Sequence, residues 1–326
     1  MREPFPNEVW CSLTIMPTSL SIKGLLNLVI VYLVWGSTYL FIRVAVREGS
    51  GFPPFTMVAS RILCGSAILF ALAWLLKNRL SIPRSELRLL LVSGLLLWVG
   101  GNGMVTWAER HADSGYAALI LGTTPIWAVL LEGILDREVP SPFLILSLLI
   151  GFSGLGVLVW PVLQQGIRAD LASTVALLIA AVVWPAGSLM LQRTPPKSAS
   201  VVVAAYQQFF GGLGLALTVW AAGEPWPQPV PSAWLSWAYL VIAGSVISFT
   251  SYVIAVRTLP FTVVTTYAYV NPVIAVLLGR IVLDERITSS TLLGMMLILA
   301  GVAGVFRQRA VRLRRRSAAS APASGK

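Results

Sequence analysis

The chain has 326 residues, of which 56% are hydrophobic and only 11% charged, with a net charge of +11. A soluble domain carries about a quarter of its residues as charges, so a water-soluble enzyme or nucleic-acid-binding domain is excluded as the first reading. Two cysteines and one histidine give no disulfide framework and no metal-ligand spacing, and leave histidine-based nucleophilic chemistry without support.

The charge is missing in blocks. Residues 24–42, 89–108, 114–131, 139–167, 171–192, 198–223, 225–256, 258–279 and 287–306 contain no Asp, Glu, Lys or Arg, and a tenth run, 62–76, reaches spanning length if extended back through Arg61 to Phe55. Apolar runs of roughly 18 or more residues cross a bilayer as helices, because lipid offers backbone groups no partners. The sequence therefore predicts an all-α membrane protein with ten transmembrane helices near 24–44, 55–76, 88–107, 114–134, 142–162, 171–191, 200–221, 234–255, 262–282 and 288–306. The first 22 residues, mixed and proline-containing, do not read as a cleavable secretory leader.

With the N-terminus placed in the cytoplasm, seventeen basic residues fall in inside segments, from Arg2 and Lys23 through Arg137, Arg193 and Arg257 to Lys326. Four fall outside: Arg47, Arg110, Arg168 and Arg286. This asymmetry predicts both termini cytoplasmic. The stretch RQRAVRLRRR, at the start of the basic tail 307–326, reads as an anchor to anionic lipid headgroups. Nucleic-acid binding would need interleaved aromatics and a folded platform.

Two passages nearly repeat. TPIWAVLLEGILDRE (124–138) and NPVIAVLLGRIVLDE (271–285) align without a gap at a spacing of 147 residues, from Thr124 to Asn271, and share seven of fifteen positions. Around them LLIGFSGLGVLVW parallels LILAGVAGVF, with Gly154 matching Gly301; TWAER parallels IAVR; and Trp35 in VWGSTYLFIR echoes Trp184 in VWPAGSLMLQR. Five spans repeat as five spans, over 24–162 and 171–306. Five is odd, so the second copy enters from the opposite side, which predicts inverted repeats with a solute site near the midplane. Pro125, Pro185 and Pro272 are expected to break spans 4, 6 and 9 near their middles and free the carbonyls of Leu121, Ala181 and Ala268. Polar neighbours Thr123, Thr124, Tyr267, Tyr269 and Asn271 would line a wet cavity at two of the breaks; the alternative is that prolines are ordinary in membrane helices and neighbouring hydroxyls repair the breaks.

At WGSTYLFIR (35–43), GNGMVTWAE (101–109) and YAYVNPVIAVLLG (267–279) the sequence resembles the drug/metabolite transporter superfamily, specifically its EamA branch of ten-helix permeases. The resemblance covers residues 24 to about 306. It implies export of small metabolites, often amino acids or toxic analogues, across a bacterial inner membrane. It also implies spans 1–4 and 6–9 around a central pathway, with 5 and 10 peripheral.

Several residues carry the candidate chemistry. Arg43, Arg61 and Arg280 lie in outer halves of spans; snorkelling to headgroups competes with an electropositive vestibule for a carboxylate or phosphate, and Arg61 is the deepest. Glu132 is the acid well inside a span, a candidate for proton coupling, although its repeat mate is Gly279. Glu138 and Glu285 fit as caps of spans 5 and 10. Asn102 sits among glycines in span 3, Gln207 and Gln208 in span 7, and Ser37 beside Trp35. Trp35, Trp107, Trp127, Trp184, Tyr252, Tyr267 and Tyr269 offer stacking faces. Trp160, Trp226, Trp234 and Trp237 read as interfacial belts. The expected partners are a small-molecule solute, membrane lipids and, as an option, a second copy in a homodimer; no cofactor and no nucleic acid are expected. The chain lacks a G-x-x-x-x-G-K-[ST] phosphate loop. A membrane-embedded lipid-modifying enzyme or an assembly factor stand as alternatives to a secondary transporter. An enzyme would need facing acids, a Ser–His pair or a metal cluster within the spans.

Overall fold

The structure is a computed structural model that describes residues 20–109, 112, 114–164, 170–283 and 287–320. Among the described residues, ten helices are long and apolar enough to cross a membrane. They are span 1 (Ile22–Val46), span 2 (Pro54–Leu75), span 3 (Arg84–Ala108), span 4 (Tyr116–Asp136), span 5 (Pro142–Pro161), span 6 (Leu171–Arg193), span 7 (Ser200–Ala222), span 8 (Pro231–Thr258), span 9 (Phe261–Leu278) and span 10 (Ser289–Arg312). No strand occurs among the described residues. Proline stands in the first turn of spans 2 and 8, where the missing N–H costs nothing and the fixed φ suits a helix start. The helix of span 10 runs on to Ser320, through the basic stretch read as a tail.

The two halves pack as antiparallel copies. Span 1 lies on spans 8 and 9, and correspondingly span 6 lies on spans 3 and 4; span 2 pairs with 7, and 5 with 10. Each pairing maps onto another, or onto itself, when spans 1–5 are exchanged for 6–10, so the repeat legible in the sequence is a pseudo-twofold of the fold. Spans 5 and 10 pack backbone to backbone: a Cβ on Gly154 would meet Ile298 N at 2.7 Å, and one on Gly301 would meet Gly151 N at 2.6 Å. Small residues permit this approach where lipid supplies no hydrophobic drive for association. The lipid face of span 1 is a stripe of Leu26, Leu33 and Leu40, all exposed. Trp160, Trp226 and Trp234 are exposed near span ends, whereas Trp237 is half-buried and donates to Ser60 Oγ at 3.0 Å, so it is a packing residue rather than part of a belt.

The helix irregularities lie elsewhere than the prolines predict. Pro185 and Pro272 sit inside continuous helices. Pro125 occupies the first turn of Thr124–Asp136, a position that needs no N–H. The breaks fall at Gly122–Thr123 in span 4 and Thr265–Thr266 in span 9, each a few residues past the start of its span. Threonine hydroxyls repair them: Thr123 Oγ1 donates to Ile120 O at 2.6 Å, Thr265 Oγ1 to Thr262 O at 3.0 Å and Thr266 Oγ1 to Val263 O at 2.5 Å. At midspan the repeat-related irregularities are two π-helical segments, Leu96–Gly103 in span 3 and Leu240–Ser248 in span 8. Such wide turns inserted in α-helices often mark functional positions.

Spans alternate in direction, so the bundle has two ends. The terminal end carries the start of span 1, the 2–3, 4–5, 6–7 and 8–9 connections and the end of span 10. The distal end carries the other five connections.

Candidate functional site

A cavity enters the bundle between spans 1, 8 and 9 on one side and spans 3, 4 and 6 on the other. It has about 120 Å³ of room for the centres of water-sized molecules. Its lining reaches Ile42, Glu109 and Ala118, each within about a turn of the distal end of its span, and descends to Trp35, Trp98, Trp184, Gly244, Tyr267 and Asn271. The cavity therefore belongs to the distal half of the bundle.

The floor is aromatic. Trp35 lies 5.0 Å from Tyr252, 5.2 Å from Tyr267 and 5.8 Å from Trp184 between ring centroids. Behind this layer Tyr252 OH receives Trp184 Nε1–H at 3.0 Å and shares a 2.6 Å hydrogen bond with Ser188. The span 3 π-helical segment sets one wall. Gly101 is needed there, because a Cβ would come within 2.7 Å of the Trp184 ring. That close approach brings Trp98 and Asn102 to the cavity. The matching segment in span 8 supplies Gly244 O, which accepts Trp35 Nε1–H at 3.5 Å.

Polar groups on the walls are incompletely satisfied. Arg61 is 5% exposed; its Nη2 donates to Asn102 Oδ1 at 3.2 Å and its guanidinium carbon lies 5.6 Å from the Trp98 ring centroid. Arg61 Nε, Trp98 Nε1 and Asn271 Oδ1 are buried without a hydrogen-bond partner. A buried polar atom left unpaired costs roughly 1–3 kcal/mol, and three of them belong to residues that line this one cavity.

Of the residues singled out in the sequence, Trp35, Arg61, Asn102, Leu121, Thr124, Trp184, Tyr267, Ala268, Asn271 and Pro272 line this cavity. The others do not. Ser37 donates to Val34 O and bonds the Tyr239 hydroxyl. Thr123 repairs its own helix and accepts Trp127 Nε1–H at 3.1 Å. Trp107 packs against a side cluster with Ala108 and Ala117. Gln207 donates to Ser93 Oγ and Gln208 to Ser245 O, tying span 7 to spans 3 and 8. Tyr252 sits behind the floor, and Tyr269 points to span 5, donating to Leu148 O at 3.1 Å. Pro125 and Pro185 are buried away from the cavity. Sequence reasoning passed over Trp98, Thr38 and Gly244. The first stands four residues before Asn102 on a helical face, a spacing that could have revealed it.

Glu132 lies near the terminal end. It accepts from Arg309 Nη2 at 2.5 Å and also from the Thr262 hydroxyl. It lines a separate terminal-end cleft with Asp136, Ser141 and Arg312, away from the aromatic cavity. Glu138 pairs with Arg312, and Ser141 Oγ accepts Leu144 N–H, so serine caps span 5 rather than the glutamate. Gln308 donates to Ser141 Oγ at 2.7 Å, and Arg307 lies over Phe143. The first turns of the basic stretch are thus docked on protein. Arg280 is exposed, as snorkelling requires. Glu285, Arg110, Arg168, Arg286 and His111 lie outside the described residues, and so does the side chain of Arg43.

Comparison with known proteins places this geometry. A family model described as the EamA-like transporter family matches twice, over residues 22–160 and 169–307. An uncharacterized inner membrane transporter of Escherichia coli K12, YedA, is 33% identical over 256 residues, 76% of this chain and 79% of its own length. A probable terminal-alkyne amino-acid exporter of Streptantibioticus cattleyicolor is 26% identical over 301 residues, covering 92% and 98% of the two chains. One solved crystal structure superposes with a TM-score of 0.73 at 23% identity over 90% of this chain and 98% of the other, a likeness of fold.

Proposed function

From the premise that this chain belongs to the EamA-like transporter family, we propose that it is a secondary exporter of a small amphiphilic metabolite, of the size and polarity of an amino acid or an analogue, working by alternating access. The observation that carries the reading is the single-sided cavity between two pseudo-symmetric groups of spans, with an aromatic floor at midspan. Rocking the groups about that floor would expose the same residues to the terminal end, as inverted repeats permit. The excess of basic residues in the terminal-end segments supports both termini in the cytoplasm, which makes this state outward-facing. The probable exporter of Streptantibioticus cattleyicolor supports the direction and the amino-acid class.

The test is counterflow in proteoliposomes holding the purified full chain, with amino acids, amino-acid analogues, nucleosides and cationic drugs as solutes. Saturable uptake of one class, abolished by blocking the cavity with a bulky adduct at Ala118→Cys, is expected. Lipid modification without flux of any solute would overturn the reading. For orientation, a cysteine at exposed Arg79 should react with an impermeant reagent only from the cytoplasmic face.

A further inference from the structure

We infer that Arg61, Trp98 and Asn102 form a subsite for a single carboxylate on the transported solute. This rests on the transporter reading above and deepens it. Arg61 is buried within the apolar span 2, yet no carboxylate pairs with it among the described residues. A cation at such a depth is costly unless it finds a counter-ion. Its one hydrogen-bond partner, the Asn102 amide oxygen, is neutral and uses one of five guanidinium donors. A structural clamp between spans 2 and 3 would not need a full charge to hold a neutral amide.

Two further facts give the missing ligand its sign and shape. Arg61 Nε and Trp98 Nε1 are both N–H donors, both buried without partners, on side chains that touch one another at the cavity wall. Both atoms are closed off in this state and reach a ligand through a small shift of the two side chains; two such donors beside one fixed cation select a group with two acceptor oxygens and one negative charge. A carboxylate supplies this, and charge-assisted bonds to a planar guanidinium are the strong ones. A phosphate dianion would leave a second charge uncompensated beside this single cation. Asn271 Oδ1, an unfilled acceptor on span 9 in the same cavity, is placed to take an N–H or O–H elsewhere on the solute.

The experiment measures thermal stabilisation of the detergent-purified full chain by matched pairs: L-phenylalanine and its amide, L-leucine and its amide, benzoate and benzamide. At least one acid is expected to raise Tm, with its amide binding about 10- to 100-fold more weakly, the range set by a charge-assisted hydrogen bond. Arg61→Gln should remove the preference. Because Arg61→Gln risks misfolding, Asn102→Asp serves as the second variant. The new carboxylate fills the site from within, so this protein should be more heat-stable without ligand and lose acid binding by a similar factor. Acids and amides binding alike, no acid binding at all, or Asn102→Asp retaining acid affinity would each overturn the subsite. Counterflow of neutral or cationic solutes alone would sink the subsite and leave the transporter standing; acid binding with no flux of any solute would do the reverse.

Discussion

The two ends of the bundle are written by copies of one sequence and are built differently. At the distal end the groups formed by spans 1, 8, 9 and by spans 3, 4, 6 part around the cavity. At the terminal end they are laced together. Gln192 Nε2 of span 6 donates to Val256 O at 3.1 Å and Leu259 O at 2.8 Å, and Tyr252 of span 8 bonds Ser188 and Trp184 of span 6. Thr262 of span 9 donates to Glu132 of span 4. Shifting these positions back by the 147-residue spacing puts Val105 where the terminal end has Tyr252, and Gly115 where it has Thr262; Glu132 maps forward to Gly279. Among the described residues, the Tyr252 and Thr262–Glu132 ties therefore have no repeat-related equivalent. An inverted repeat with identical halves would populate both openings equally. Here the polar ties bias the bundle toward the state with the terminal end shut, and a ligand must supply the differential binding that reverses it.

The sharpest control for this contrast lies away from both ends. Gly301→Leu would drive a side chain into the backbone of span 5, since even a Cβ meets Gly151 N at 2.6 Å. Overpacking against backbone that has no room to yield should cost about 3 kcal/mol or more of stability, seen as a lowered Tm. Spin labels at exposed Ile22 and Val139 should still report the same distance across the terminal end, because spans 5 and 10 do not line the cavity. A changed distance would mean that the peripheral pair takes part in gating.

Gln192→Leu attacks the lock directly. It removes two hydrogen bonds that cross between the groups and strands two carbonyls, worth about 2 kcal/mol together. The population open at the terminal end should rise roughly 30-fold, and the Ile22–Val139 distance distribution should gain a longer component. Tyr252→Phe deletes the hydroxyl shared by Trp184 and Ser188 and should act in the same direction by about 1 kcal/mol. If neither change lengthens the distance, the contrast between the ends is one of shape and not of energy.

How much of this was legible in the sequence follows from what each feature depends on. The ten spans are local facts: apolar runs of spanning length, interrupted by a charge only at a few points such as Arg61 and Glu132. The repeat and the antiparallel halves follow from counting. The helix breaks were misplaced because a proline marks a missing N–H, and a first-turn position such as that of Pro125 has none to lose. The π-helical turns instead follow from packing, with Gly101 admitting the Trp184 ring from another span. Span 7 is apolar around most of its circumference, so no periodicity in Gln207 and Gln208 told that they face spans 3 and 8 rather than the cavity. Arg61 and Asn102 were readable one at a time. Their meeting with Trp98 required the fold.

The smallest expected effect concerns Glu132, and its size decides what that residue does. Arg309 and Glu132 are each 13% exposed and 2.5 Å apart. Breaking a fully buried pair costs roughly 3–5 kcal/mol, whereas exposed pairs contribute about 0–1. This pair borders a cleft with about 290 Å³ of room for water centres, also lined by Asp136, Glu138 and Arg312, so solvent and neighbouring charges screen it. Arg309→Ala should therefore weaken closure of the terminal end by about 1 kcal/mol or less, leaving Thr262 as the remaining donor to Glu132. The loss should shrink further when salt rises from about 0.01 to 0.15 M, as the Debye length falls from about 30 to 8 Å. A salt-independent loss of several kcal/mol in the Ile22–Val139 distance assay would show Glu132 to be a sealed charge.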